Sequence, residues 1–258
     1  MRNVKIILVI AAVSIALLGC QQMFEFNLFS AVDHASIPSA SELKSMETSA
    51  ALDLLGDESS SDKFYEDLAN DPTKKQELEG YLGDIWAPGS SEAPEDQQRA
   101  ALLYADIEMK TTGGDELVNN LVNTLLSDNP PNDFSDFWDQ VVPAEAQSEQ
   151  GMEEMLGGFL DAWNAYDAFG NTLSSNDPPE GTNMGEVAQN AVVSFYLYSF
   201  AEANGVDTTS DTAASDLYDL LTGTTTPTAT AIPDPTSSTS LNNIINTAGL
   251  TDLFNTGA

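Results

Sequence analysis

Along most of the chain, apolar residues recur every three or four positions, the spacing that places them on one face of an α-helix. Ser41 precedes Leu43, Met46, Ala50, Leu54 and Leu55, a stripe that predicts one helix ending at Gly56. Asp71-Pro72 is a start signal, with proline at the first helical position, and Leu78, Tyr81, Leu82, Ile85 and Trp86 follow on one face. Pro94-Glu95-Asp96 opens a further helix carrying Leu102, Leu103, Ile107 and Met109, and Gly113-Gly114 stops it. Asp115 then caps a segment with Leu117, Val118, Leu121, Val122 and Leu125 inward. Asp133 heads a short helix with Phe134, Phe137, Trp138 and Val141.

The longest stripe follows Pro143 and runs through Met152, Met155, Leu156, Phe159, Leu160, Trp163, Tyr166 and Phe169. Gly157-Gly158 lies inside it and marks a place where another helix comes close. A last long segment spans about Met184 to Asn204, and its centre, AVVSFYLYSF at 191–200, is apolar on most sides. Such a run reads as a helix buried by several neighbours or as a buried strand, and the flanking EVAQNA and AEAN favour the helix. NTLLSDNPP at 123–131 recurs as NTLSSNDPP at 171–179. Each copy ends a helix before two prolines, because the residue before proline is pushed out of helical geometry.

These elements make the chain all-α, an irregular stack or bundle of helical hairpins spanning 41–222. The hairpins resemble tetratricopeptide repeats, with Pro130 as the closing proline and Leu102 on the first large apolar position. Ala105 and Asp106 depart from that pattern, and Val118, Val122 and Leu125 keep only its apolar character. The repeat spacing also exceeds the family's period of about 34 residues. Residues 223–258 are different material. TGTTTPTATAIPDPTSSTS at 222–240 has almost no large apolar side chain with which to offset its ordering entropy. Beyond it, Leu241, Ile244, Ile245, Leu250, Leu253 and Phe254 form either a short helix that docks on the body or a frayed tail.

The N-terminus has two basic residues, Arg2 and Lys5, and then thirteen residues from Ile6 to Leu18 that are apolar except for Ser14. That is the length of a secretory signal, shorter than the ~20 residues a membrane span needs. The run closes on Leu17-Leu18-Gly19-Cys20, which resembles the lipobox of bacterial lipoproteins. The resemblance implies that 1–19 is a signal peptide cleaved before Cys20, with Leu17, Leu18 and Gly19 read by the peptidase. It further implies a diacylglycerol on the Cys20 sulfur and a lipidated spacer over 20–40. Two or three acyl chains anchor a protein stably where one binds reversibly. Gln21 in place of Asp after the cysteine points to the outer membrane rather than the inner, with the body facing the periplasm or exterior.

Charge narrows the partners. The chain has 41 Asp plus Glu against 8 Lys plus Arg, a formal charge of −33. Nucleic acid and anionic headgroups are repelled by such a body. The acids are spread rather than clustered, which fits a solvated surface suited to a saline habitat, where salt screens self-repulsion. Asp207-Thr208-Thr209-Ser210-Asp211-Thr212 approaches a calcium loop but has Thr212 where glycine is wanted and Tyr218 where the bidentate Glu belongs, so it reads as a helix-capping loop. Asp128, Asp133 and Asp136 read as a solvated turn.

Cys20 is the only cysteine and His34 the only histidine, so no disulfide, histidine-based triad or His/Cys zinc site is available. Neither a nucleophile elbow nor a phosphate-cradling glycine loop is present, and no enzyme activity, metal or cofactor beyond the lipid is expected. Two readings remain. The first is a membrane-anchored scaffold that receives an envelope protein or peptide. The second is a small-ligand-binding or transporter-accessory lipoprotein with a pocket between helices, lined by Trp163, Tyr166, Tyr196 and Tyr198. The sequence leaves the oligomeric state open.

Overall fold

A computed structural model describes residues 37–126, 140–228 and 237–251. The signal segment, the lipobox with Cys20, His34, the acids around Pro130-Pro131, and Phe134, Phe137 and Trp138 lie outside these residues. Among the described residues the chain is entirely helical, without strands. The helices pack as a bundle.

The first helices enclose a core of their own. A helix over Ala40–Leu43 (α1) starts at Ser39, whose side chain and that of Glu42 satisfy each other's backbone N–H groups in a capping box. The single helix expected over 41–56 is in fact two, since α2 begins afresh at Thr48 (Thr48–Glu58). Ser45 donates its hydroxyl to the Glu42 carbonyl at 2.7 Å, offering the backbone a turn in place of another helical residue. The second helix passes Gly56 and ends only at Glu58, because nothing there requires a stop. Next comes α3 (Asp62–Asn70), which buries Phe64, Tyr65 and Leu68. It is followed by α4 (Pro72–Trp86), where the Asp71 carboxylate accepts the Lys74 N–H at 3.2 Å.

The remaining helices are α5 (Pro94–Thr111), α6 (Gly114–Leu126), α7 (Glu149–Thr172), α8 (Met184–Ala203), α9 (Ala213–Thr222) and α10 (Thr239–Thr247). Helix α6 starts one residue before the expected Asp115 cap. Helices α5, α6, α8, α9 and α10 all pack on α7, as does a 3-10 turn at Ala144–Gln147. From α5 onward the chain therefore gathers around one helix, while α1–α4 pack on the other side of α5. The expected stripe of α7 is buried from Met152 to Phe169. The 191–200 run is helical and buried on nearly all sides, as its composition requires. Helix α10 is docked, with Leu241 and Ile244 fully buried and Ile245 nearly so.

Two glycines set how closely helices cross α7. A Cβ on Gly158 would meet the Glu108 carbonyl oxygen at 2.9 Å, so α5 can cross there only over glycine. A Cβ on Gly170 would meet the Ser240 carbonyl carbon at 2.7 Å, which ties α10 to the same helix. Asn243 adds a hydrogen bond from its amide to the Gly170 carbonyl at 2.9 Å, and the Ser240 hydroxyl donates to Asp167.

Helix α5 belongs to both cores. Ala100, Leu103 and Ile107 face the α1–α4 core, while Ala101, Ala105 and Met109 face the core around α7. At about 100° per residue these two stripes leave two seams between them. One carries Leu102, Asp106 and Lys110, the other Tyr104 and Glu108. Because cores flank α5 on both sides, the polar residues in these seams are held within the protein.

Candidate ligand site

The Glu108 seam is a closed ion-pair network. Glu108 is 4% exposed, and Lys75 of α4 reaches its Oε2 at 2.8 Å and Glu79 Oε1 at 3.2 Å. Burial pushes the Glu108 carboxyl up to about 8; the Lys75 ammonium opposes this, and the like charges of Glu79 and of Asp161 on α7 add to it. Burial pulls Lys75 down, but the carboxylates of Glu108 and Glu79 outweigh it and hold the ammonium above its ordinary value. Tyr104 stacks edge-on against Trp86 at 5.4 Å and closes the seam. This network links α4 to α5.

The Asp106 seam differs in that its groups come from five helices and remain partly open. Asp106 and Lys110 stand one turn apart on α5, and Glu186 and Asn190 one turn apart on α8. Asp115 lies in the first turn of α6, where a carboxylate also suits the helix dipole. Tyr166 comes from α7 and Tyr65 from α3. Asp106, Lys110, Asp115 and Glu186 are half-buried, while Tyr166 is 1% and Asn190 3% exposed. These side chains act on one another electrostatically, with Tyr166 and Asn190 buried and the charged groups only half-buried.

The charges of this seam are unbalanced. Asp106 is pushed up to about 7, first by desolvation and then by Glu186 and Asp115, against the pull of the Lys110 ammonium. Glu186 is raised as well, by desolvation and then by Asp115. Lys110 already has a partner, its Nζ lying 4.5 Å from the centre of the Tyr65 ring in a cation–π contact. The Asn183 amide holds the other side of Glu186, donating to its carboxylate at 3.2 Å.

One hydrogen bond in this group is unfinished. The Tyr166 hydroxyl is buried without a hydrogen-bond partner. Burial and then Asp106, Glu186 and Asp115 raise this phenol well above its ordinary value, while the neighbouring Asn190 side chain opposes them. An unsatisfied buried hydroxyl costs about 1–3 kcal/mol, and such a group in a native fold calls for an explanation, a bound molecule among them. Trp86 Nε1, Gln98 Nε2 and Ser194 Oγ are also buried without a partner.

The four aromatics expected to line a pocket lie in the core or packed against it. Trp163 packs edge-on against Phe195 at 5.1 Å and tilted against Tyr198 at 6.2 Å, and Phe195 meets Tyr196 at 5.7 Å. Trp163 and Tyr196 are core residues, and half-buried Tyr198 donates its hydroxyl to Glu202 at 3.2 Å. Tyr166 is buried in the same core and is the one of the four on which Asp106, Glu186 and Asp115 act. The Asp207 loop folds on itself, its carboxylate accepting the Thr209 N–H at 3.1 Å and hydroxyl at 2.7 Å. Among the described residues no group of three or more His, Cys, Asp or Glu side chains is gathered closely enough to hold a metal ion, and no helix is long and apolar enough to cross a membrane.

The sequence alone did not suggest this grouping because Tyr166 and Glu186 lie far along the chain from Asp106 and Asp115. A signal was present in ALLYADIEMK at 101–110, where Asp106 and Glu108 interrupt a run that is otherwise apolar on both sides of a helix. Comparison with known proteins finds no family model, no curated protein and no solved structure that matches the chain.

Proposed function

We propose that the chain is a lipid-anchored extracytoplasmic binding protein, held on the membrane through Cys20, whose helical body captures a small polar ligand at Tyr166. The buried Tyr166 hydroxyl, without a hydrogen-bond partner, carries this reading, since a ligand is what would complete it. The scaffold reading draws instead on exposed apolar surface. Among the described residues Met46 is the one large apolar side chain that stands open, at 40% exposure. The anchor reading rests on Leu17-Leu18-Gly19-Cys20 behind a signal-length apolar run. Binding here needs no cofactor other than the lipid and involves no catalytic step.

The test has two arms. Membrane fractionation of a Cys20→Ser variant should find it released from a membrane that retains the parent. Native mass spectrometry of the purified parent should find a small non-covalent adduct that a Tyr166→Phe variant loses. A Cys20→Ser protein bound as firmly as the parent, or an adduct indifferent to Tyr166, contradicts the proposal.

A further inference from the structure

Independently of any ligand, we infer that α10 is an exchange segment, which docks on α7 and α8 of a second copy of the chain as it docks on its own and so pairs two copies. The seat of α10 is shaped for this helix by polar as well as apolar contacts. Ser240 crosses Gly170 so closely that a Cβ on the glycine would lie 2.7 Å from the Ser240 carbonyl carbon and 2.9 Å from its Cα. The Asn243 amide donates to the Gly170 carbonyl at 2.9 Å, and Asp167 accepts the Ser240 hydroxyl. Leu241, Ile244, Ile245 and Leu250 are buried in the core around α7. Every copy carries the same seat and the same helix, so the occupant whose fit the structure displays is α10, from either chain.

The segment can move as a unit because both its caps are its own. The Ser238 side chain accepts the Leu241 N–H at 3.2 Å, and the Leu250 N–H donates to the Ile245 carbonyl at 3.0 Å beyond Gly249, whose φ is 72°. Its helical neighbours are α7 and α8. Earlier in the chain, the Thr228 N–H donates to the Asn204 side-chain oxygen at 2.7 Å, which ties that residue to the body. The peptide steps from Thr228 to Ser238 reach about 35 Å at full extension, about the width of a small domain. Charge also favours this element. Copies of a chain with a formal charge of −33 repel one another, yet no residue between Asp234 and Asp252 is charged. Helix α10 therefore enters a second copy without adding negative charge. Exchange keeps the contacts of each copy, which makes it a low-cost route to a dimer. Concentration decides between the two arrangements, since a short tether gives docking within one chain an effective concentration of about millimolar.

The experiment uses the full mature chain with Cys20→Ser, so that neither lipid nor detergent adds mass, in about 1 M sodium chloride to screen repulsion. Two variants each lose one half of the contact. Gly170→Ala sets a Cβ against Ser240 and blocks the seat but keeps α10, while Ile244→Asp spoils α10 but keeps the seat. Multi-angle light scattering should find each variant monomeric alone and a one-to-one heterodimer when they are mixed at about 100 μM. The parent, refolded from urea at rising concentration up to about millimolar, should give a rising share of dimer that Ile244→Asp abolishes. Urea melts confirm that each variant is folded, and the parent series decides by itself if Gly170→Ala does not fold. A mixture of folded variants that stays monomeric overturns the inference, as does a parent that stays monomeric throughout. A dimer that persists in Ile244→Asp alone also overturns it, since another surface is then the contact.

Discussion

Replacing Glu108 with glutamine removes the most deeply held carboxyl from the α4–α5 seam while keeping its shape and an oxygen for Lys75. Burial pushes this carboxyl up to about 8 in the fold, against about 4.5 for the unfolded chain. Between those values the folded protein keeps a proton that the unfolded chain has released. The stabilisation is therefore complete below about pH 4.5 and is lost as pH rises towards 8. At about 1.4 kcal/mol for each tenfold change in proton affinity, the whole loss is at most roughly 5 kcal/mol. That is a large part of a typical domain's stability. Urea unfolding followed by tryptophan fluorescence, in about 1 M salt so that surface repulsion is screened, measures it. The difference between Glu108→Gln and the parent should be near zero at pH 4.5, grow steadily in the variant's favour, and level off above pH 8. Taking the difference cancels the parallel loss from Asp106, which falls between about 4 and 7. A difference that stays flat across this range refutes the reasoning and means that Glu108 is ionised and well paired throughout.

Tyr166→Phe should leave stability unchanged or raise it by about 1 kcal/mol in the ligand-free protein, because it removes an unsatisfied hydroxyl; a loss above 1 kcal/mol in the same urea assay would show that the hydroxyl is already bonded. Gly158→Leu should cost at least about 3 kcal/mol, since its Cβ meets the Glu108 carbonyl at 2.9 Å and α5 must move away from α7; differential scanning calorimetry reads the fall in Tm. Ile244→Ala should cost about 2–5 kcal/mol and expose the segment before α10 to limited proteolysis, because Ile244 is fully buried; unchanged cleavage would mean that α10 is held by other contacts.

What the sequence made legible follows from how each element is held. Helices α4, α5, α7 and α8 were readable because their burial follows the helical period, and Gly158 because glycine within an apolar stripe leaves room for a neighbour. Helix α3 was missed: it is short, and Lys63, Glu66 and Asp67 separate Phe64, Tyr65 and Leu68. The break between α1 and α2 was missed because a capping box and one serine hydroxyl decide it, while the apolar spacing runs on through 44–47. The aromatic pocket was drawn from residues of similar type on two neighbouring helices, but packing turned Trp163, Tyr166 and Tyr196 into the core and left Tyr166 within electrostatic reach of Asp106, Glu186 and Asp115. That grouping depends on α5 lying between two cores, a tertiary fact that no local pattern carries.

The account's central claim joins an anchor to a binding site, and one measurement reads both. Native mass spectrometry of the protein extracted from its source membrane in mild detergent should give the mass of Cys20 to Ala258 with a diacylglycerol, plus a small adduct released on gentle activation. The mass of an uncleaved or unacylated chain, carrying no adduct, would contradict it.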